Sequence, residues 1–370
     1  MTTASRTKHV LYFLPAITLA ITPLPPALAD DASGAMHGGH LRADAYAPIG
    51  VMGDHLLHKK GEWMLSYRYM HMDMDGSRIG TNNVSTSQIL QVPNRFADPP
   101  NQPPFLRIVP TNMTMDMHMF GAMYAPTNNL TLMAMVNYID KEMDHLTFNI
   151  PGTLLGGFTT RSEGIGDTKI TGLYRLFKDS VHHAHLNLGL SLPTGSITNR
   201  GTILDPMGNT PNVRLPYAMQ LGTGTFDLLP GVTYNGRVGD FSWGGQFRSE
   251  IRLEDENDEG YAWGDLYGLT GWLAYEWARW ISTSVRLDAW TQDSISGIDP
   301  NIVGPVQTAN PDFYGGEQVF AYFGANMAGQ SGIIRGHRLA LEVGVPLYRN
   351  LNGPQLETDW NFIVGWQKAF

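Results

Sequence analysis

The 370-residue chain contains no cysteine. Disulfides, thiolate metal centres and thiol nucleophiles are therefore excluded. Charge is scarce, at 16% of residues, and leans acidic, with a net charge of −9. That balance argues against a nucleic-acid partner. Beyond the first segment, no window reaches the roughly 18 uninterrupted apolar residues of a transmembrane helix. No H-E-x-x-H, G-x-S-x-G, P-loop or dinucleotide fingerprint stands in a context that would support it. The expectation is that the chain is not an enzyme, although a Ser/His/Asn hydrolase on a barrel wall stays open, because triads assemble in space. What the chain does have is glycine, 41 residues, and aromatics, 11%. Low charge without an apolar helix fits a transmembrane β-barrel, where only every second residue meets lipid. A secreted β-sandwich is the alternative.

Residues 1–29 read as a secretory signal peptide. Arg6 and Lys8 form the positive start, Val10 to Ala20 is the apolar stretch, and Ala27-Leu28-Ala29 is a small-x-small cleavage site. Its removal takes away two cations and no acid, so −9 becomes −11. Residues 30–60 follow without strand alternation. Met36, His37, His40, His55 and His58, with His118 further on, are candidate ligands for copper, which imidazole and thioether suit. The competing reading is a solvated tail, or an insert that packs into a barrel mouth.

From Gly61 onward the period of two marks twelve segments: 61–73, 112–125, 129–142, 165–178, 181–193, 221–235, 238–252, 264–277, 279–291, 314–327, 335–347 and 357–370. The links between them alternate long and short. This is the signature of a twelve-stranded antiparallel up-and-down transmembrane barrel, all-β, spanning 61–370, with short periplasmic turns and long extracellular loops. The last segment shows the alternation well. Trp360, Phe362, Val364, Trp366 and Phe370 share one face, and Asp359, Asn361, Gly365 and Gln367 share the other. An aromatic final residue resembles the closing strand of bacterial outer-membrane barrels, which implies the barrel-insertion machinery as a partner. Tyr124, Tyr174, Tyr234, Tyr275 and Trp277 lie beside the short turns, as an interfacial girdle would.

Because a charge facing the bilayer middle costs about 2–4 kcal/mol for Arg or Lys, the polar face of each strand must point inward. That rule sends Arg68, Asp167, Lys169, Arg175, Asp227, Arg248, Glu250, Arg252, Arg286, Asp288, Arg338 and Glu342 to the lumen, along with His185 and Asn187. Methionine is concentrated, with 14 of 18 between Met36 and Met143. Met64 and Met70 share a face with Arg68, Met133 and Met135 with Thr131, and Met115 and Met117 oppose Phe120 and Tyr124. With Phe120 and Tyr124 on lipid, three adjacent strands present thioethers to the lumen. Such a wall suits a hydrophobic solute or Cu(I), or packs against an inserted amino-terminal segment.

Gly164-Ile165-Gly166-Asp167-Thr168, then Leu173-Tyr174-Arg175-Leu176, then Leu188 to Ser196 with its L-P-T-G-S ending resemble the core pattern of the MetA-pathway of phenol degradation family. Pro216 to Thr225 and Asp227-Leu228-Leu229-Pro230-Gly231 are similar to its next hairpin. The resemblance implies an outer-membrane barrel that passes hydrophobic or aromatic compounds. The expected function is passive movement of a small solute across the outer membrane of a Gram-negative bacterium, with lipid and lipopolysaccharide around the barrel and no cofactor required. Copper handling by the Met- and His-rich third, or a structural or enzymatic barrel, are the alternatives.

Overall fold

The computed structural model describes residues 42–43, 46–57 and 59–370. The expected signal peptide, and with it Met36, His37, His40 and His58, lie outside the described residues. Eleven strands form a closed ring: β1 (Trp63–Gly80), β2 (Ile108–Tyr124), β3 (Leu130–Phe148), β4 (Thr168–Lys178), β5 (His182–Leu192), β6 (Asp227–Val238), β7 (Phe241–Arg252), β8 (Leu266–Ala278), β9 (Ile281–Gln292), β10 (Gly316–Ala328) and β11 (His337–Ala369). Each pairs antiparallel with its sequence neighbour, and β11 pairs with β1 to close the sheet. Closure leaves no bare backbone edge. No helix among the described residues is long and apolar enough to cross a membrane.

The alternation that defines the strands sorts their faces. On β8, Leu269 and Leu273 are 62% and 67% exposed, while Thr270, Trp272, Ala274 and Glu276 are buried. On β9, Val285 and Leu287 face out and Arg286 and Asp288 face in. The outside of the ring is an apolar band, and the inside is a polar core. Aromatic pairs mark the short-connection end. Trp63 meets Tyr124 at 4.5 Å between ring centroids, and Tyr275 meets both Phe241 and Trp277.

Strand bounds depart from the alternation in five places. β1 runs on to Gly80 and β3 to Phe148, beyond the expected 73 and 142. The stretch 144–164, expected as loop, contains a strand, Leu154–Ile165, which pairs with the far half of β3 outside the ring. Its polar sequence hid it: a ribbon standing clear of the apolar band needs no apolar face. The segment 221–235 begins only at Asp227, because Leu221 to Phe226 is drawn into a loop. The expected segments 335–347 and 357–370 form one continuous 33-residue strand. Its first half pairs with β10, its second half with β1, and the partner changes at Leu351.

At the other end the long connections pack on one another. Tyr217, Tyr261, Ile295, Ile302, Val306 and Tyr314 form a buried cluster among them. Burial pushes the hydroxyls of Tyr217, Tyr261 and Tyr314 above the ordinary tyrosine range, so they stay protonated. Tyr314 donates to the Thr308 carbonyl at 2.6 Å.

Candidate lumen site

Residues 46–57 touch the inward faces of eight strands. The Ala47 carbonyl accepts from Arg338 of β11 at 2.5 Å. The Gly50 amide donates to Glu342 Oε2 at 2.5 Å. The Met52 carbonyl accepts from Gln246 of β7 at 2.7 Å, and the Met52 sulfur from Arg68 of β1 at 2.7 Å. The Gly53 carbonyl accepts from His185 of β5 at 2.8 Å and from Asn187 at 3.3 Å. Asn235 of β6 donates to the Asp54 carbonyl and the Leu57 amide to Thr131 of β3. Ile49, fully buried, packs on Phe320 and Tyr322 of β10, and Val51 on Trp272 of β8. Gly53 has φ +65°, a left-handed backbone that glycine adopts without strain, and an added Cβ would stand 3.2 Å from Asn187 Nδ2. A segment with no ladder of its own must find partners for each buried amide and carbonyl. Here the barrel's polar side chains supply them.

The inward charges form pairs. Arg286 Nε meets Glu342 Oε1 at 2.9 Å and stacks over Tyr322, 3.7 Å from the ring centroid. Arg248 donates to both oxygens of Asp288, at 2.7 and 3.2 Å. Lys169 binds Glu250 at 2.6 Å, and Arg252 binds Asp227 at 2.5 Å. Arg338 also donates to Gln367 and Asn326, both at 2.6 Å. Arg175 stands at the short-connection rim, beside Asn129. On β7, Glu250 lies four residues beyond the Gln246 that holds Met52, on the long-loop side. The side chains of Lys169, Glu250 and Arg248 retain 27%, 29% and 37% exposure, so water reaches them there.

Across the ring, β1, β2 and β3 carry the methionines. Met64 stands opposite Met123, Met70 opposite Met117, Met72 opposite Met115 and Met74 opposite Met113. Met113 then faces Met143, and Met123 faces Met133. Met135 is buried on the same inward row of β3. These positions alternate with exposed Phe120, Leu132 and Val136, so the thioethers face the lumen.

Asp167 was expected beside Lys169. Instead it accepts from the Gly195 amide at 2.9 Å and from the Thr223 amide at 2.8 Å. Gly195 and Gly222 stand back to back. A Cβ on Gly195 would meet the Leu221 carbonyl oxygen at 2.6 Å, and one on Gly222 would meet the Gly195 carbonyl oxygen at 2.7 Å. The G-x-G-D, L-P-T-G-S and L-G-T-G stretches therefore converge on one point, where the long loop 193–226 leaves and rejoins the barrel. Between those feet the loop turns inward. Tyr217 and Met219 are fully buried, and Met219 sits among Met74, Met113 and Met143. Lys141 of β3 donates to the carbonyls of Ala218 at 2.8 Å and Gln220 at 2.6 Å. Sequence reasoning missed Lys141, although its parity with Met135 and Asn137 already placed it inward.

Of the candidate metal ligands, His55 and His118 lie among the described residues. His118 faces outward, its Nδ1 2.8 Å from the Tyr67 hydroxyl, on the face opposite the methionines. Asp116 beside it accepts from Tyr69 and contacts His71 Nδ1 at 2.7 Å. His55 packs on Tyr46. Among the described residues no group of three His, Asp or Glu side chains is placed to hold a metal ion.

No protein-family profile matches the chain, and no curated protein matches it in sequence. In structure it is similar to the COG4313 outer-membrane channel from Pseudomonas putida F1, with TM-score 0.53 and 16% identity, over 86% of this chain and 99% of that one. A Pseudomonas aeruginosa FadL homologue follows at TM-score 0.41 and 9% identity, over 84% and 90%. The P. putida toluene transporter TodX stands at 0.40 and 12%, over 84% and 90%. At such identity the likeness is one of fold. The chain is a closed antiparallel β-barrel, similar in fold to the COG4313 outer-membrane channel.

Proposed function

We propose that the chain is an outer-membrane channel of a Gram-negative bacterium that passes a small hydrophobic or aromatic solute. The observation that carries this reading is the thioether wall on the inward faces of β1, β2 and β3. Thioethers are polarizable, adapt to irregular shapes and make favourable contacts with aromatic rings. The copper alternative is weaker on electrostatic grounds. The same wall carries two cations, Arg68 and Lys141, and no inward carboxylate between Met64 and Met74, Met113 and Met123, or Thr131 and Met143. That is a poor path for a metal cation. In this reading the two halves of β11 are two passes, giving twelve crossings with both ends at the periplasmic, short-turn side. Residues 46–57 plug the lumen. Lipid and lipopolysaccharide cover the apolar band. The motif resemblance to the phenol-degradation family agrees with an aromatic solute.

The test is uptake by whole cells. Cells with the chain in their outer membrane are expected to take up a labelled aromatic hydrocarbon such as naphthalene several-fold faster than cells without it. The Met70→Gln, Met117→Gln double variant, inserted to the same level, is expected to lose most of that gain. Equal uptake with and without the chain would remove the reading. The lipid assignment has its own check. Leu269→Arg puts a charge on the exposed face of β8 and is expected to cost about 2–4 kcal/mol, read from urea titration of the vesicle-inserted protein. Thr270→Arg, on the inward face, is the control for lipid contact, because its charge stays off the hydrocarbon.

A further inference from the structure

Among the inward cations, Arg68 and Arg338 are held by the lumen segment, through the Met52 sulfur and the Ala47 carbonyl. Lys169, Arg248, Arg252 and Arg286 each have a carboxylate. Lys141 has none among the described residues. Its neighbours Asp140 and Glu142 project from the other face of β3, where Glu142 pairs with Arg161 at 2.7 Å. Its ammonium is held only by two neutral acceptors, the carbonyls of Ala218 and Gln220. A lysine ammonium bound to carbonyls is held less strongly than one bound to a carboxylate.

Position gives this imbalance a use. Lys141 stands in register with Met115, and Met115 with Met72. The next row toward the plug is Ile139, Met117 and Met70. The next row toward the long loops is Met143, Met113 and Met74, which clasp Met219. Of the two cations set into this apolar wall, Lys141 is the one whose present partners belong to a loop. That loop is fixed at its feet by Asp167 and by the Gly195–Gly222 contact, and its tip is packed through Tyr217 and through the Ala218 amide on the Tyr314 hydroxyl, so the side chain of Lys141 is the part able to change partners.

We propose that Lys141 is an exchangeable latch and that the solute moving along the methionine wall carries an anionic head, a carboxylate on an apolar or aromatic body. The carboxylate takes the ammonium from the two carbonyls, the body lies on Met70, Met72, Met115 and Met117, and the Ala218 and Gln220 carbonyls lose their hold on the wall. This rests on the reading of the chain as a channel for an apolar solute and narrows its substrate class.

The chain lacks cysteine, so a single Ala218→Cys reports loop accessibility without background. In the full chain in nanodiscs, benzoate is expected to bind about tenfold more tightly than benzyl alcohol, the factor a charge-assisted hydrogen bond provides. Benzoate, and not benzyl alcohol, is expected to speed thiol labelling at position 218. Lys141→Met should bring benzoate binding down to the benzyl alcohol level measured in the same variant, while Lys141→Arg keeps the preference. Equal binding of the two probes, or a preference that survives Lys141→Met, overturns the latch and leaves the channel standing. If neither probe binds, the apolar-solute reading itself falls, and the latch with it.

Discussion

Removing residues 42–57 is expected to convert a closed trace into resolved single-channel steps in planar bilayers, with conductance rising roughly tenfold or more. The size of the effect follows from the lumen. A ring of this strand count has a backbone radius of about 12 Å at the usual strand tilt, wider than inward side chains fill unaided. In the intact chain the remaining space is taken by residues 46–57, with Ile49, Val51 and Leu57 each at 2% exposure or less. On the long-loop side of that segment, water already reaches Arg248, Lys169 and Glu250. Deletion joins that water to the short-turn side along the charged half of the barrel, and the Lys141 loop still covers the methionine half. Inward groups that lose their partners, His185, Asn187, Gln246 and Arg338, become hydrated, so the ring itself should survive. A trace that stays closed after the deletion, with the barrel shown to be inserted, would mean that residues 46–57 do not set the barrier.

How this segment works explains why its sequence said so little. It offers the barrel mostly backbone: the carbonyls of Ala47, Met52, Gly53 and Asp54 and the amides of Gly50 and Leu57. Of its described side chains, Met52 adds its sulfur, which accepts from Arg68. The barrel wall was legible for the opposite reason. A period of two assigns every side chain to one of two faces, and the cost of charge in lipid then decides which face is inside. That logic assigned Glu342, Arg286 and the methionines to the inward face without any knowledge of their partners. It could not supply the partners. Asp167 has Lys169 two residues away on the same face, yet it binds amides 28 and 56 residues distant. Lys141 binds carbonyls 77 and 79 residues away. Which loop turns inward is a matter of tertiary packing, and no periodicity records it. The hidden strand Leu154–Ile165 and the unbroken β11 have the same origin, since local alternation does not say which neighbour a strand takes.

Glu342→Ala is expected to destabilise the folded barrel by about 3–5 kcal/mol, the cost of breaking a buried ion pair on one side. Glu342 is fully buried and its two oxygens serve two different structures. Oε1 holds Arg286 of the barrel wall at 2.9 Å, and Oε2 takes the Gly50 amide of the lumen segment at 2.5 Å. The alanine leaves Arg286, itself 2% exposed, with Asp288 at 3.5 Å as its remaining carboxylate and Tyr322 beneath it. It also leaves the half-buried Gly50 amide without its acceptor, which adds to the loss. Two readouts separate these losses. The urea midpoint of the vesicle-folded protein reports the wall, and protease cleavage within 46–57 reports release of the lumen segment. Replacing both charges, Arg286→Met with Glu342→Leu, should recover most of the wall stability, because an apolar pair of similar volume leaves no orphaned charge. The Gly50 amide still lacks its acceptor in that double variant, so the segment should stay protease-sensitive even though the barrel is restored. If the single change costs less than about 1 kcal/mol, the ordinary size of a point substitution, the pair is not holding either structure. If the double variant restores the wall and resists protease as well, Glu342 anchors the barrel alone and the lumen segment is held elsewhere.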